Sequence, residues 1–158
     1  MEKILKNQNE TREFASSLAR ELKAGDVVAL YGDLGSGKTT FTSFLVSALG
    51  IEARVQSPTF VIARRYTKSG GGNSGDDSSD GGITQVNHVD LYRLTSVEEV
   101  EGLGVSEMFE EANSITVIEW PKLLENLLPK NCIKIKFEYV DENSRKVVLD
   151  EAKSGSYD

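Results

Sequence analysis

The sequence predicts a three-layer α/β domain whose sheet is partly antiparallel. Strand and helix patterns alternate early, hairpin patterns take over later, and a glycine-rich loop joins the first apolar strand to the helix behind it.

Each element follows from its residues. Thr11 to Lys23 reads as an amphipathic helix, because Phe14, Leu18 and Leu22 recur every four residues with charges between them. Ala24-Gly25-Asp26 stops it. Val27 to Tyr31 is a short apolar run rich in β-formers that ends at Gly32. From Lys38 the period turns helical, with Phe41, Phe44, Leu45 and Leu49 on one face and Gly50 as the C-cap. Phe60 to Tyr66 and Thr84 to Tyr92 read as two strands of a long hairpin. Between them, residues 69 to 82 contain only Gly, Ser, Asp and Asn, a mobile loop with nothing to bury. Val97 to Glu111 reads as short helices broken at Gly102 and Gly104, and Ile115 to Ile118 as a buried strand running into Glu119-Trp120-Pro121. Ile133 to Tyr139 and Lys146 to Leu149 alternate around the polar turn Asp141 to Ser144.

The length of 158 residues suits one core, so residues 1–150 are expected to form a single domain and 151–158 a frayed polar tail. Apolar residues make up 39% and charged residues 27%, the balance of a soluble globular chain. No apolar run is long enough to span a bilayer, and the N-terminus is too polar for a signal peptide. Cys132 is the only cysteine, which excludes an internal disulfide and a cysteine-based zinc site. It lies in an alternating stretch, where packing explains it better than reactivity. Together these features point to the cytoplasm. The net charge of −7 argues against a surface that holds a polynucleotide unaided, Arg64-Arg65 being one local basic pair. From Thr95 to Glu125 there are eight Glu and one Lys. A solvated helix face is the plain reading, and a docking surface for a basic partner the sharper one.

Gly32-Asp33-Leu34-Gly35-Ser36-Gly37-Lys38-Thr39 fits the phosphate-loop pattern at every fixed position, with the strand before and the helix after that the pattern needs. Glycines let the backbone curl so that N–H groups converge on an anion, and the helix adds its N-terminal dipole. Lys38 suits the β- and γ-phosphates of a nucleoside triphosphate, and the Thr39 hydroxyl suits magnesium. The fold expectation sharpens to a three-layer P-loop NTPase domain with a mixed parallel and antiparallel sheet. Such a site also needs an acid at a strand end, and both Glu119 and Asp90 qualify. The guanine-reading [NT]-K-x-D element is absent, which favours ATP. His88, the sole histidine, and Trp120 read first as packed residues.

Four motifs occur in order: Gly32 to Thr40, Ser57-Pro58-Thr59-Phe60, His88-Val89-Asp90-Leu91-Tyr92-Arg93 and Ile118-Glu119-Trp120. In sequence and spacing they resemble the bacterial tRNA threonylcarbamoyladenosine biosynthesis ATPases, called TsaE or YjeE, from about Leu5 to Leu149. The resemblance implies a small ATPase supporting N6-threonylcarbamoyladenosine formation at position 37 of tRNAs that read codons beginning with A. It implies action with threonylcarbamoyl-transferase subunits of the TsaB and TsaD type, and tRNA contact through that complex. By similarity Thr39 and Glu119 would bind magnesium, and Asp33, Leu34, Gly35, Ser36, Gly37, Lys38, Thr39 and Thr40 would wrap the phosphates of ATP. Thr11 would lie near the nucleotide, Asp90 would orient water or a second-shell group, Thr59 lies in a switch-like segment, and Arg145 would lie near the base or ribose. The run from Ser69 to Gly82 departs from the family, which has a short turn there.

Two other classes share the loop. A small-molecule kinase needs an arginine-bearing lid, whereas the seven arginines here are scattered and residues 69–82 carry no basic side chain. A nucleotide-gated interaction module with negligible turnover differs from the ATPase only in kinetics.

Overall fold

The computed structural model describes residues 1–56, 63–69 and 82–151. A seven-stranded sheet in the order β1-β7-β6-β2-β5-β4-β3 organises them. Its strands are β1 (Glu2–Leu5), β2 (Val27–Tyr31), β3 (Ala63–Thr67), β4 (Gln85–Asp90), β5 (Ser114–Glu119), β6 (Ile133–Tyr139) and β7 (Arg145–Glu151). The four central strands β6, β2, β5 and β4 run parallel. β1 on β7, β7 on β6 and β3 on β4 are antiparallel. The mixed sheet is therefore as expected, with buried apolar strands at its parallel centre.

Alternation along β2 sends its side chains to two cores. Val28 and Leu30 join Phe14, Leu18, Phe41, Leu45, Ile115 and Val117 on one face. Val27 and Ala29 join Val89, Val100, Val105, Ile118 and Cys132 on the other. The first face is covered by α1 (Gln8–Glu21) and α2 (Lys38–Ala48). The second lies under the short α3 (Val97–Gly102), α4 (Val105–Met108) and a 3-10 turn at Pro121–Leu124. Phe41 is fully buried between Phe14 and Phe137, with ring centroids 5.6 and 5.3 Å away. Truncating it to alanine should cost about 3–5 kcal/mol.

Helix ends carry their own explanations. α1 begins three residues before the predicted Thr11, because Asn7 caps it and accepts from Glu10 N at 2.9 Å. The Glu10 carboxylate answers by accepting from Lys6 N. α2 ends in a Schellman arrangement: Leu49 is the cap and Gly50 (φ +82°) follows it, with Ile51 N bonded to Val46 O and Gly50 N to Ser47 O.

β1 was not expected from sequence. Only Leu5 in it is buried, and the strand exists through its pairing with β7, where Leu5 opposes Arg145. β7 includes Glu151, one residue into the expected tail. Residues 152–158, most of the 69–82 insertion and the Ser57-Pro58-Thr59-Phe60 motif, with its candidate Thr59, lie outside the described residues. Among the described residues no helix is long and apolar enough to cross a membrane.

Candidate functional site

The site forms where the parallel strands end. β2 exits at Tyr31 into the glycine loop, whose backbone is held by close approach. Gly32 sits at φ +140°, and a Cβ there would come 2.6 Å from Phe137 O and from Ser36 Oγ. Gly37, at φ +107°, opens α2 without any side-chain cap. The N–H groups of that first turn therefore face the loop with no side chain assigned to them, as an anion site requires. Ser36 Oγ is buried and has no hydrogen-bond partner among the described residues, a polar atom in want of a ligand.

Lys38 is only 4% exposed and turns back over the loop. Its ammonium donates to Gly32 O at 2.6 Å and Asp33 O at 3.0 Å, and lies 4.4 Å from the Trp120 ring centroid. Burial lowers its pKa, while the nearby carboxylates of Glu119, Asp90 and Asp33 act in the opposite sense. The carbonyls occupy the donors that a phosphate would take.

Glu119 ends β5 and Asp90 ends β4. The two strands are parallel neighbours with Asp90 opposite Glu119, so the register sets both acids side by side. Both are buried. Thr39 Oγ1, from the first turn of α2, donates to Glu119 Oε2 at 3.2 Å. Asp90 Oδ1 accepts from Tyr92 N at 2.9 Å. Lys38, Thr39, Asp90 and Glu119, with Tyr92 and Trp120, line a cavity of about 500 Å³.

A smaller cavity, about 200 Å³, lies on the other side of Gly37 and Thr40. Thr11 from α1, Phe137 from β6, Asn143 from the β6–β7 turn and Arg145 at the start of β7 close it. Arg145 reaches from there to the loop. Its guanidinium donates to Asp141 O, Ser144 O and, at 3.4 Å, Gly35 O, and it stacks on Tyr139. Asp33, Leu34 and Gly35 form the exposed lip, Leu34 at 69%.

Thr11, Asp33, Leu34, Gly35, Ser36, Gly37, Lys38, Thr39, Thr40, Asp90, Glu119 and Arg145 thus come together around two neighbouring cavities that share Gly37, Thr40 and Arg145. Among the described residues no three His, Cys, Asp or Glu side chains form a metal cage. Magnesium asks for less: one or two protein oxygens beside phosphate oxygens and water. The Thr39–Glu119 pair fits that donor set.

Two residues read from sequence as packing belong to the site. Trp120 packs against the second core, as expected, and also reaches the site. It is half-buried, it takes a left-handed backbone (φ +60°, ψ +57°) strained for a bulky residue, and its ring packs on Tyr92 at 4.8 Å and under Lys38. His88 is fully buried as expected, yet its Nε2 lies 2.6 Å from Glu119 Oε2. The signal for it was two-residue spacing from Asp90, which puts both on one face of β4.

The acidic stretch divides. Glu111 pairs with Arg65, Glu119 is in the site, Glu125 binds Tyr31 and Lys134, and Glu99 caps α3 with Ser96. Glu98, Glu101, Glu107 and Glu110 are exposed.

Comparison with known proteins covers most of the chain. The family described as threonylcarbamoyl adenosine biosynthesis protein TsaE matches residues 5–147. The tRNA threonylcarbamoyladenosine biosynthesis protein TsaE of Rickettsia felis is 37% identical over 145 residues, covering 90% of this chain and 75% of that one. Its counterpart in Bacillus subtilis is 35% identical over 143 residues, covering 90% and 80%. The crystal structure of Bacillus subtilis YdiB superposes with a TM-score of 0.70 at 28% identity, over 98% of this chain and 87% of that one.

Proposed function

The chain belongs to the TsaE family of threonylcarbamoyl adenosine biosynthesis proteins, and from that membership we propose that it is a P-loop ATPase supporting N6-threonylcarbamoyladenosine formation on tRNA. The observation that carries the ATPase reading is the Thr39–Glu119 contact at the foot of a glycine loop whose lysine is bonded to its own carbonyls.

In this reading ATP lies across both cavities. The loop from Asp33 to Thr40 wraps the phosphates through backbone N–H groups, and Lys38 exchanges the Gly32 and Asp33 carbonyls for β- and γ-phosphate oxygens. Thr39 and Glu119 would hold magnesium, which would supply positive charge to the phosphates. Asp90 orients the attacking water or a group beside it. Thr11 and Arg145 border the nucleoside, and Thr59 contributes from the Ser57-Pro58-Thr59 segment.

The partners are the threonylcarbamoyl-transferase subunits. With a net charge of −7, this chain is poorly suited to hold the tRNA backbone alone, because phosphate neutralisation supplies most non-specific affinity. Exposed Glu98, Glu101, Glu107 and Glu110 offer a docking face of the right sign for a basic surface.

The deciding experiment is phosphate release from ATP by the protein alone, then with the transferase subunits, then with tRNA added. Slow release alone and stimulation by the subunits is the expected result. Fast release indifferent to the subunits points instead to a self-sufficient ATPase or a small-molecule kinase. No release in any combination leaves a nucleotide-gated interaction module. Tight, salt-sensitive tRNA binding by the isolated protein contradicts the charge argument.

A further inference from the structure

Three side chains run diagonally across the sheet toward the candidate site. On the β3–β4 pair Arg64 opposes His88, so Tyr66 is its diagonal neighbour on the same face. On the β4–β5 pair His88 opposes Val117, so Glu119 is its diagonal neighbour. Tyr66 and Val117 both belong to the core beneath α1 and α2, which places the whole line on the face from which α2 presents Thr39. The hydrogen bonds follow it. Glu119 Oε2 lies 2.6 Å from His88 Nε2, and His88 Nδ1 lies 3.4 Å from Tyr66 Oη. Tyr66 Oη also receives from Gln56 N at 3.4 Å, and its one hydrogen has two acceptors in reach, Gln56 O at 3.2 Å and His88 Nδ1.

We propose that His88 is a positioning residue for Glu119, oriented by Tyr66. The proposal rests on the reading of Glu119 as the acid that meets magnesium. Its physical basis is the sharing of one oxygen. Thr39 Oγ1 and His88 Nε2 both address Glu119 Oε2. The Thr39 hydroxyl can offer a lone pair to the metal while its hydrogen stays on that oxygen, and His88 is the second, buried donor that keeps the carboxylate in place. A carboxylate only accepts, so Nε2 carries the hydrogen of this bond and Nδ1 faces the Tyr66 hydroxyl. Burial raises the Tyr66 pKa and so keeps that hydroxyl protonated. His88 is shut off from water, whereas Glu119 shows only a sliver to the cavity, so His88 has no solvent substitute for this partner. Partners behind a metal-binding side chain typically contribute about 10–100-fold in metal affinity.

Two measurements test the line. His88 is the only histidine, so ¹⁵N labelling of imidazole gives a single ring system in the metal-free protein. The expected spectrum shows a protonated Nε2 and an acceptor-type Nδ1, with Glu119→Gln shifting the first and Tyr66→Phe the second. A ring protonated only at Nδ1, or one indifferent to Glu119→Gln, overturns the proposal without any variant of His88 having to fold. The second measurement is ATP binding by calorimetry across a magnesium titration and again in EDTA. His88→Leu should raise the magnesium requirement about 10–100-fold while leaving metal-free ATP affinity within about twofold, and His88→Gln, which keeps an N–H, should recover much of the loss. Equal losses with and without magnesium, or no difference between Leu and Gln, reduce His88 to a packing residue. If ATP binding by the unsubstituted protein ignores magnesium altogether, the metal reading of the site fails and the positioning role falls with it. The imidazole spectrum then still reports whether the hydrogen bonds exist, so the two failures are told apart.

Discussion

The Lys38 ammonium stands 4.4 Å from the centre of the Trp120 ring, and Trp120 is the only tryptophan in the chain. The fluorescence of one residue therefore reports on the glycine loop. Lysine must leave the Gly32 and Asp33 carbonyls to meet a phosphate, so adding ATP with magnesium should change Trp120 emission. Lys38→Ala should change the emission of the free protein and remove most of the response. It should also weaken ATP binding by about 10–100-fold, the worth of a charge-assisted hydrogen bond. Unchanged affinity and turnover in this variant would remove Lys38 from the site.

Glu119→Gln keeps the shape of the side chain, and its amide can still accept from Thr39, but the charge is gone. Turnover should fall at least about tenfold, and its dependence on magnesium should flatten. Measuring phosphate release across a magnesium titration decides it. If both survive intact, Asp90, directly opposite on β4, becomes the better metal candidate.

Cys132 should be inert in the folded protein. Burial pushes its thiol up to about 11, well above its ordinary value, because the thiolate is the form that burial disfavours. Only the thiolate reacts with iodoacetamide. At pH 8 alkylation should be at least about 100-fold slower in the native protein than in urea. The same shift makes the folded thiol hold its proton longer than the unfolded one. This contribution to stability is complete below the unfolded value and is lost as pH climbs toward 11. Rapid alkylation at pH 8 without denaturant would show that the second core opens readily.

Replacing residues 70–81 with an Asn-Gly turn should leave stability nearly unchanged. The replaced run has no apolar side chain, and Lys68 N already bonds Thr84 O at the mouth of the β3–β4 hairpin. Loop closure scales slowly with length, so Tm should hold or rise by less than about 5 °C. A large fall would reveal packing of the insertion on the core.

What sequence could and could not show divides along physical lines. β2 was legible to the residue, because Val27 to Tyr31 is an unbroken apolar run between Asp26 and Gly32. The loop was legible because its glycines and lysine have fixed spacing. The start of α1 was read three residues late, because the Asn7 cap and the first turn lie outside the apolar period that marks the helix. β1 was not legible, because a strand with one buried residue leaves no period and its partner lies at the far end of the chain. The place of Trp120 in the site was not legible, because periodicity carries no information on the sign of φ. The His88–Glu119 bond depends on the parallel register of β4 on β5, which neither strand encodes by itself.

The strand order carries a consequence for how the protein comes to be. β2 lies at the centre of the sheet, yet both its neighbours, β5 and β6, belong to the last third of the chain. As the polypeptide leaves the ribosome, the glycine loop and α2 emerge long before the acid that ends β5. Half of the candidate site must wait, with its apolar strand unpaired, for the other half to be translated. Pairing of such sequence-distant segments gives a high contact order, and refolding should occur over milliseconds to seconds rather than microseconds. A nascent chain arrested before Ser114 should fail to bind ATP and should engage holdase chaperones through the bare strand Val27–Tyr31.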